Sequence, residues 1–237
     1  MTIQTHIPGF PRIGKNRELK RALEQYWKGT STLETLRKTA EEIRNRTITV
    51  QQDLDLVSIG DFCLYDHILS LSVLLDTVPE RFANRGLENA EDKTFAMARG
   101  IQTRQTSIPA CEMRKWFNTN YHYIVPEFTK DCSFNLQKEL FLQHFARPAL
   151  AEEKKTKAIL CGPLTYLWLG KEFHSGSAPE SGFTRLSVLP QLLDEYKKML
   201  RILKELHYDW IQLDEPVVLL DYLPRQWKQA MQSAWEE

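Results

Sequence analysis

What the chain lacks narrows its possibilities first. Its longest apolar runs, such as Ile68–Leu75 and Val217–Leu220, fall far short of the roughly 20 residues that cross a bilayer. The opening Met1-Thr2-Ile3-Gln4-Thr5-His6 has no basic stretch followed by an apolar one, as an export signal would. A cytoplasmic protein with no membrane partner is the expectation. Charge of one sign is not in excess either, since Lys plus Arg and Asp plus Glu each number 31. No global field therefore draws the chain to nucleic acid, and any anion site has to be local.

Cysteine is sparse. Cys63, Cys111, Cys132 and Cys161 are scattered, with no CxxC pair and no histidine at zinc-finger spacing. They read as buried thiols. HExxH, GxSxG, GxGxxG and P-loop patterns are all missing. The sequence thus carries no complete metal site and no complete nucleophilic site within its length.

What is present is an ordinary globular composition: 237 residues, 42% hydrophobic and 26% charged, enough to bury a core as one or two domains. Pro8, Gly9, Pro11 and Gly14 favour an extended start over Thr2 to Ile13. Asn16 is expected to cap a helix over Arg17–Lys28, with Leu19, Leu23, Tyr26 and Trp27 at helical spacing and Gly29 as its stop. Ser31 with Glu34 suggests a capping box for a helix over Thr32–Val50. Leu54–Ile59 reads as a buried strand and Asp61–Leu75 as a helix, while Pro79–Asn89 reads as a loop. Further on, Lys157–Cys161 and Tyr208–Leu213 are β-like, Arg185–His207 is helical with Pro190 in its first turn, and Pro224–Glu237 is helical. Strand, polar turn and helix alternate, which argues an α/β fold with a parallel sheet or barrel.

In such folds ligand-facing groups gather at the carboxyl ends of strands. Asp61 with His67, Gly162-Pro163-Leu164-Thr165, and Asp214-Glu215 occupy such positions. Asp61 has an alternative as a helix cap. Asp214-Glu215 has two readings, an acid/base pair or fold-supporting hydrogen bonds, because neighbours on a strand point in opposite directions. The segment Lys115-Trp116-Phe117-Asn118-Thr119-Asn120-Tyr121-His122-Tyr123 interleaves rings with polar groups. Burying those polar groups would require partners, whereas a ligand surface accounts for both kinds of residue.

Six motifs in order carry a family resemblance. They are Gly9-Phe10-Pro11-Arg12-Ile13-Gly14 with Arg17-Glu18-Leu19-Lys20, Tyr26-Trp27-Lys28-Gly29, Gly60-Asp61-Phe62 with Tyr65-Asp66-His67, Lys115 to Glu127, Gly162-Pro163-Leu164-Thr165, and Trp210 to Pro216. Together they resemble the N-terminal half of the cobalamin-independent methionine synthase family over nearly the whole chain. That family moves the methyl group of 5-methyltetrahydrofolate triglutamate to homocysteine, without cobalamin, using zinc to activate the homocysteine thiol.

The resemblance implies a (β/α)8 TIM-barrel-like N-terminal domain. It places the zinc ligands in a C-terminal catalytic barrel outside this sequence, so no zinc is expected on this chain and no residue of it is expected to be catalytic. It assigns binding of the folate triglutamate tail to Arg17, Glu18, Leu19, Lys20, Lys115 and Asn120. A string of carboxylates suits charge-assisted donors and a helix N-terminus. Asp214-Glu215-Pro216 looks like a duplicated remnant of a catalytic-half motif.

The β-runs near Ile3, Val57, Tyr123, Ile159 and Ile211 number about five, against the eight of a closed barrel. Residues 1–237 are thus expected to form a partial barrel domain that is inactive alone and prone to self-association through open edges. Two alternatives differ in kind: a non-catalytic docking partner of a separate catalytic barrel, and a self-sufficient small barrel enzyme using Asp214, Glu215 or His122.

Overall fold

The computed structural model describes residues 3–83, 85–173 and 182–236. Thr2, Asn84 and Glu237, which fall in segments assigned above, lie outside the described residues. The main elements, in order, are α1 (Glu18–Trp27), α2 (Leu33–Val50), β1 (Leu56–Ile59), α3 (His67–Leu74), α4 (Ala90–Arg99), β2 (Ile101–Gln102), β3 (Ser107–Ile108), β4 (Met113–Lys115), β5 (His122–Ile124), β6 (Glu127–Phe128), α5 (Lys138–His144), β7 (Lys155–Cys161), α6 (Pro163–Leu169), β8 (Lys171–Glu172), α7 (Leu189–Glu205), β9 (Trp210–Asp214) and α8 (Arg225–Glu236). The chain divides into two units. One comprises Met1–Leu64, His144–Leu160 and Leu203–Gln212; the other comprises Tyr65–Gln143, Cys161–Ile202 and Leu213–Glu237.

The first unit is built on a sheet of order β1-β7-β9, in which β1 runs parallel to β7 from Leu56 opposite Lys155 to Ile59 opposite Ala158. The burial pattern of β1 is continuous, as expected of a parallel strand covered on both faces. Ile48, Val57, Ile59 and Ala151 form a cluster with Tyr208 against it. Helices α1 and α2 pack together, with Leu19, Leu23, Leu36 and Ile43 buried. Full burial of a leucine such as Leu19 contributes roughly 2 kcal/mol.

The first β-run is not a strand, since residues 3–7 form no strand ladder. Thr5 instead accepts from the backbone N–H groups of Asp55 and Leu56 and gives its own N–H and hydroxyl to the Asp55 carboxylate at 2.7 and 2.8 Å. Pro8 and Pro11 have no N–H to offer a ladder. The Ile7 carbonyl accepts from Ser58 Oγ and from the Nζ of Lys157. That lysine is 3% exposed in β7 and also donates to Gln212 Oε1 at 2.6 Å, so its buried charge is met by oxygens.

In the second unit α3 is buried on nearly all sides, as a helix apolar all round must be. Leu69, Val73, Phe82, Met97, Ile108 and Ile124 form one core cluster. The Tyr166 hydroxyl, fully buried, lies 2.9 Å from Ser72 Oγ and 2.6 Å from Thr77 Oγ1. Ser72 Oγ is also in range to donate to the Ile68 carbonyl, and Thr77 Oγ1 to the Ser72 carbonyl, each at 3.1 Å. Here β2 with β3 and β4 with β5 are antiparallel hairpins, and β6 runs parallel to β8.

Several expectations need correction. The run around Tyr123 belongs to the β4–β5 hairpin and not to the parallel sheet. Among the described residues the strands form one three-stranded sheet and three pairs, and no closed barrel. The helix expected from Asp61 begins only at His67, because Asp66 is its N-cap, accepting from Leu69 N at 2.8 Å. Helix α2 is capped by Thr32, one residue after the expected Ser31, through Thr35 N. Helix α7 follows a 3-10 turn over Arg185–Val188 and holds Pro190 in its first turn.

Candidate functional site

The first group of sequence-selected residues opens α1. Asn16 does not cap it: Arg17 takes the N-cap position with φ 62° and makes no side-chain capping bond. The local fold is held by Glu18, whose carboxylate accepts from Arg46 Nη1 at 2.7 Å and from Asn16 N at 2.8 Å. The Arg46 hydrogen bond, with backbone N–H donation from Glu18 and Asn16, lowers the Glu18 carboxyl to about 2. Gly14, at φ +81°, leaves that carboxylate its room, since a Cβ there would lie 2.3 Å from Glu18 Oε2. Leu19 is fully buried. Glu18 and Leu19 therefore build the helix start, while the exposed cations Arg17 and Lys20 stand at its first turn, Lys20 in a loose 3.8 Å pair with Glu24.

The second group lies on the β4–β5 hairpin. Lys115 pairs across to His122, and the tip is closed by Trp116 N donating to Tyr121 O at 2.7 Å. Trp116 packs edge-on to His67 with centroids 4.5 Å apart, and to Phe117 and Tyr123 at 5.1 and 6.2 Å. The hairpin resolves the mixed composition of this segment: rings pack together while Lys115, Asn118, Asn120 and His122 are exposed. Lys115 and Asn118 line an open cleft of about 650 Å³, whose wall includes Arg114, Lys171, Glu172 and Arg185. Trp168 and Tyr222 are also among its lining residues. Asn120 is outside that lining. Arg17, Glu18, Leu19 and Lys20 belong to the first unit, and Lys115 and Asn120 to the second.

Arg114, Lys171 and Arg185 escaped the sequence reading. The only signal was a local excess of cations around the Lys115 segment, and Arg185 stands 70 positions further along the chain.

Of the acidic strand-end residues, Glu215 and Asp61 are held by hydrogen bonds within the fold. Both oxygens of the buried Glu215 are engaged, accepting from Leu164 N at 2.8 Å, Thr165 N at 2.7 Å and Thr165 Oγ1 at 2.5 Å. Burial raises its carboxyl above the ordinary range, against the pull of those donors. The Gly162–Thr165 motif and Glu215 thus form one knot that fastens the start of α6, which supports the fold-holding reading. Asp61 likewise accepts from Phe10 N at 2.6 Å. His122 lies exposed on its hairpin.

No cluster of three His, Cys, Asp or Glu side chains suited to a metal occurs among the described residues. Burial pushes Cys111 up to about 12, where it stays protonated beside Arg81, and pushes Cys161 well above its ordinary value. No helix of the described residues is long and apolar enough to cross a membrane.

Residues 4–237 match the family model described as cobalamin-independent synthase, N-terminal domain. The chain is 46% identical to the 5-methyltetrahydropteroyltriglutamate–homocysteine methyltransferase of Nitrosomonas europaea, across 99% of this chain and 30% of that protein. It is 44% identical to the protein of that name from Photobacterium profundum (98% and 29%) and 45% identical to that from Blochmanniella pennsylvanica (100% and 30%). The chain thus spans about a third of the length of these curated relatives.

Proposed function

The chain belongs to the cobalamin-independent synthase family, as its N-terminal domain, and from that membership we propose that it serves as the N-terminal part of a methyltransferase that moves the methyl group of 5-methyltetrahydrofolate triglutamate to homocysteine, giving methionine. The observation that carries this is the match over residues 4–237, together with relatives whose names state both substrates. Cobalamin has no part in the reaction, as the family description says.

The role we assign to this segment is to hold the folate's triglutamate tail. The exposed cations Arg17 and Lys20, at a first turn with no side-chain cap, and the exposed Lys115 and Asn120 on the hairpin are its contacts. Glu18 and Leu19 act by shaping that turn. Zinc and the homocysteine thiol are the business of a C-terminal catalytic barrel, the partner of this domain, and the thiols and acids described here supply no step through the metal. We read the β1-β7-β9 sheet, in which β1 runs parallel to β7, as part of a (β/α)8 barrel, and we place the protein in the cytoplasm. Trp210 and Ile211 on β9, a terminal strand of that sheet, are 54% and 36% exposed, which favours self-association of the isolated chain; sedimentation showing only monomer at high concentration would remove that part of the reading.

Calorimetry with 5-methyltetrahydrofolate triglutamate tests the tail role. Binding should weaken with salt and fall roughly tenfold in Lys20→Ala and in Lys115→Ala, the loss of one charge-assisted contact each. Unchanged affinity in both variants would remove those residues from the site. Mixing the chain with a catalytic part and assaying methionine tests the larger role: rescue supports it, and methyl transfer by this chain alone contradicts it.

A further inference from the structure

We propose that the pocket lined by the α3–α4 connection binds a zwitterionic α-amino acid with an apolar side chain, Arg85 receiving its carboxylate and Glu88 its ammonium. The volume, about 430 Å³, is in the range of small-molecule sites. The pocket shares no residue with the cleft beside Lys115, so the proposal stands apart from the tail-binding reading.

The connection is shaped at both ends. Helix α3 closes on Asp76 in the left-handed region, at φ 56°, where Asp76 N donates to Val73 O at 3.2 Å and Thr77 N to Ser72 O at 2.8 Å. Glycine usually takes that place. The side chain that stands there instead accepts from Lys93 Nζ at 2.9 Å, tying the end of α3 to α4, and both residues line the pocket. The 3-10 turn Glu80–Phe82 brings Phe82, 1% exposed, into the same lining. Val78 and Leu87, which also line it, pack on the core cluster that contains Phe82. The apolar part of the pocket is thus backed by the core.

The charged part sums to zero, with Arg85 and Lys93 against Asp76 and Glu88. A balanced set suits neither a simple anion nor a simple cation. Asp76 and Lys93 satisfy each other. Arg85 and Glu88, three positions apart, form no ion pair with each other or with any other described residue. The Arg85 Nε reaches the Arg81 carbonyl at 3.4 Å, which leaves its Nη groups to a ligand. An unengaged cation, an unengaged anion and an apolar surface in one pocket match the carboxylate, the ammonium and the side chain of such an amino acid. Charge-assisted hydrogen bonds serve the first two, and burial against Val78, Phe82 and Leu87 serves the third.

The probe is L-methionine, titrated into the 237-residue chain and followed by methyl NMR of Val78 and Leu87. Both residues' signals should shift, with a dissociation constant in the millimolar range or below. The methyl ester of L-methionine, which lacks the carboxylate, and γ-methylthiobutyrate, which lacks the amine, should each bind roughly tenfold more weakly. L-Serine, with no apolar side chain, should lose a similar factor. Arg85→Gln and Glu88→Gln should each cost L-methionine roughly tenfold, yet Arg85→Gln should leave ester binding unchanged and Glu88→Gln should leave γ-methylthiobutyrate binding unchanged. Methyl signals that stay still at about 20 mM L-methionine, where a millimolar site would be mostly filled, overturn the inference. Equal affinities for L-methionine, its ester and the deaminated acid overturn it too, as does full affinity in both Gln variants. Arg85 and Glu88 are exposed, so both variants should keep the parent's melting curve; should Arg85→Gln fail to, Glu88→Gln, whose side chain makes no bond among the described residues, decides alone.

Discussion

Glu215 fills the space that Gly162 leaves open: a Cβ on Gly162 would lie 2.1 Å from the Glu215 carboxyl carbon and 2.3 Å from its Oε1. Gly162 is present here for close approach and not for backbone freedom, since its φ of −75° suits any residue. Gly162→Ala should therefore destabilise the fold by about 1–3 kcal/mol, the range for overpacking, read by urea unfolding. Adding Glu215→Ala should give a double mutant less unstable than the two single effects combined.

Asp66 is 1% exposed and accepts from two backbone N–H groups, Leu69 at 2.8 Å and Ile124 at 3.1 Å. Asp66→Ala strands both donors and should cost roughly 2–4 kcal/mol, a lost cap plus a buried unmet donor. Asp66→Asn keeps one acceptor oxygen and should cost less. If thermal melts rank Asn at or below Ala, the capping account is wrong.

The Glu18–Arg46 pair makes a pH prediction of definite sign. Because the Glu18 carboxyl is lowered from 4.5 to about 2, its stabilising contribution is present above pH 4.5 and disappears as pH falls toward 2. In Arg46→Ala the carboxyl should titrate nearer 4.5, and carbon-detected NMR of the Glu18 side chain would show it.

His144 behaves in the opposite chemical sense. Burial lowers its imidazole from 6.5 to about 4, while its Nε2 sits 2.9 Å from the Gly60 carbonyl. The neutral ring is the folded form, so stability should be full above pH 6.5 and decline as pH falls toward 4. His144→Gln, which can still donate to Gly60, should flatten that segment of the melting-temperature profile. An unchanged slope would mean another group titrates there.

Cys111, held protonated with its thiol up at about 12, should resist iodoacetamide at pH 8 in the folded chain and react once urea unfolds it. Mass spectrometry of the alkylated peptides distinguishes it from Cys132, which is only partly buried.

Much of this architecture is legible in the sequence where the signal is local. The apolar spacing of Leu19 and Leu23 marks α1, the Ser31–Glu34 pattern marks the start of α2 to within one residue, and continuous apolar runs mark β1 and β7. Contacts between distant segments leave no such trace. Asp61 and Asp66 both precede the same apolar run, and nothing nearby says that Phe10 N will claim Asp61 while Leu69 N claims Asp66. Thr5 binds Asp55 where a strand was expected, across 50 positions. At the candidate site, the family pattern points to Lys115. The cleft beside it depends on Arg185 folding over Trp168 and Trp227, which only the three-dimensional arrangement shows.

The buried hydroxyl group of Tyr166 sits in a cluster with fewer protons than close contacts. Ser72, Thr77 and Tyr166 hold three hydroxyl protons between them, yet they form four close contacts counting the carbonyls of Ile68 and Ser72. One contact is always without a hydrogen, and the vacancy can move as the rotors turn. The site therefore keeps several proton arrangements of similar energy inside a fixed frame of heavy atoms, a residual entropy of the folded state. Tyr166→Phe would remove two of the contacts but only one proton, so its loss should be nearer one hydrogen bond, about 1 kcal/mol, than two.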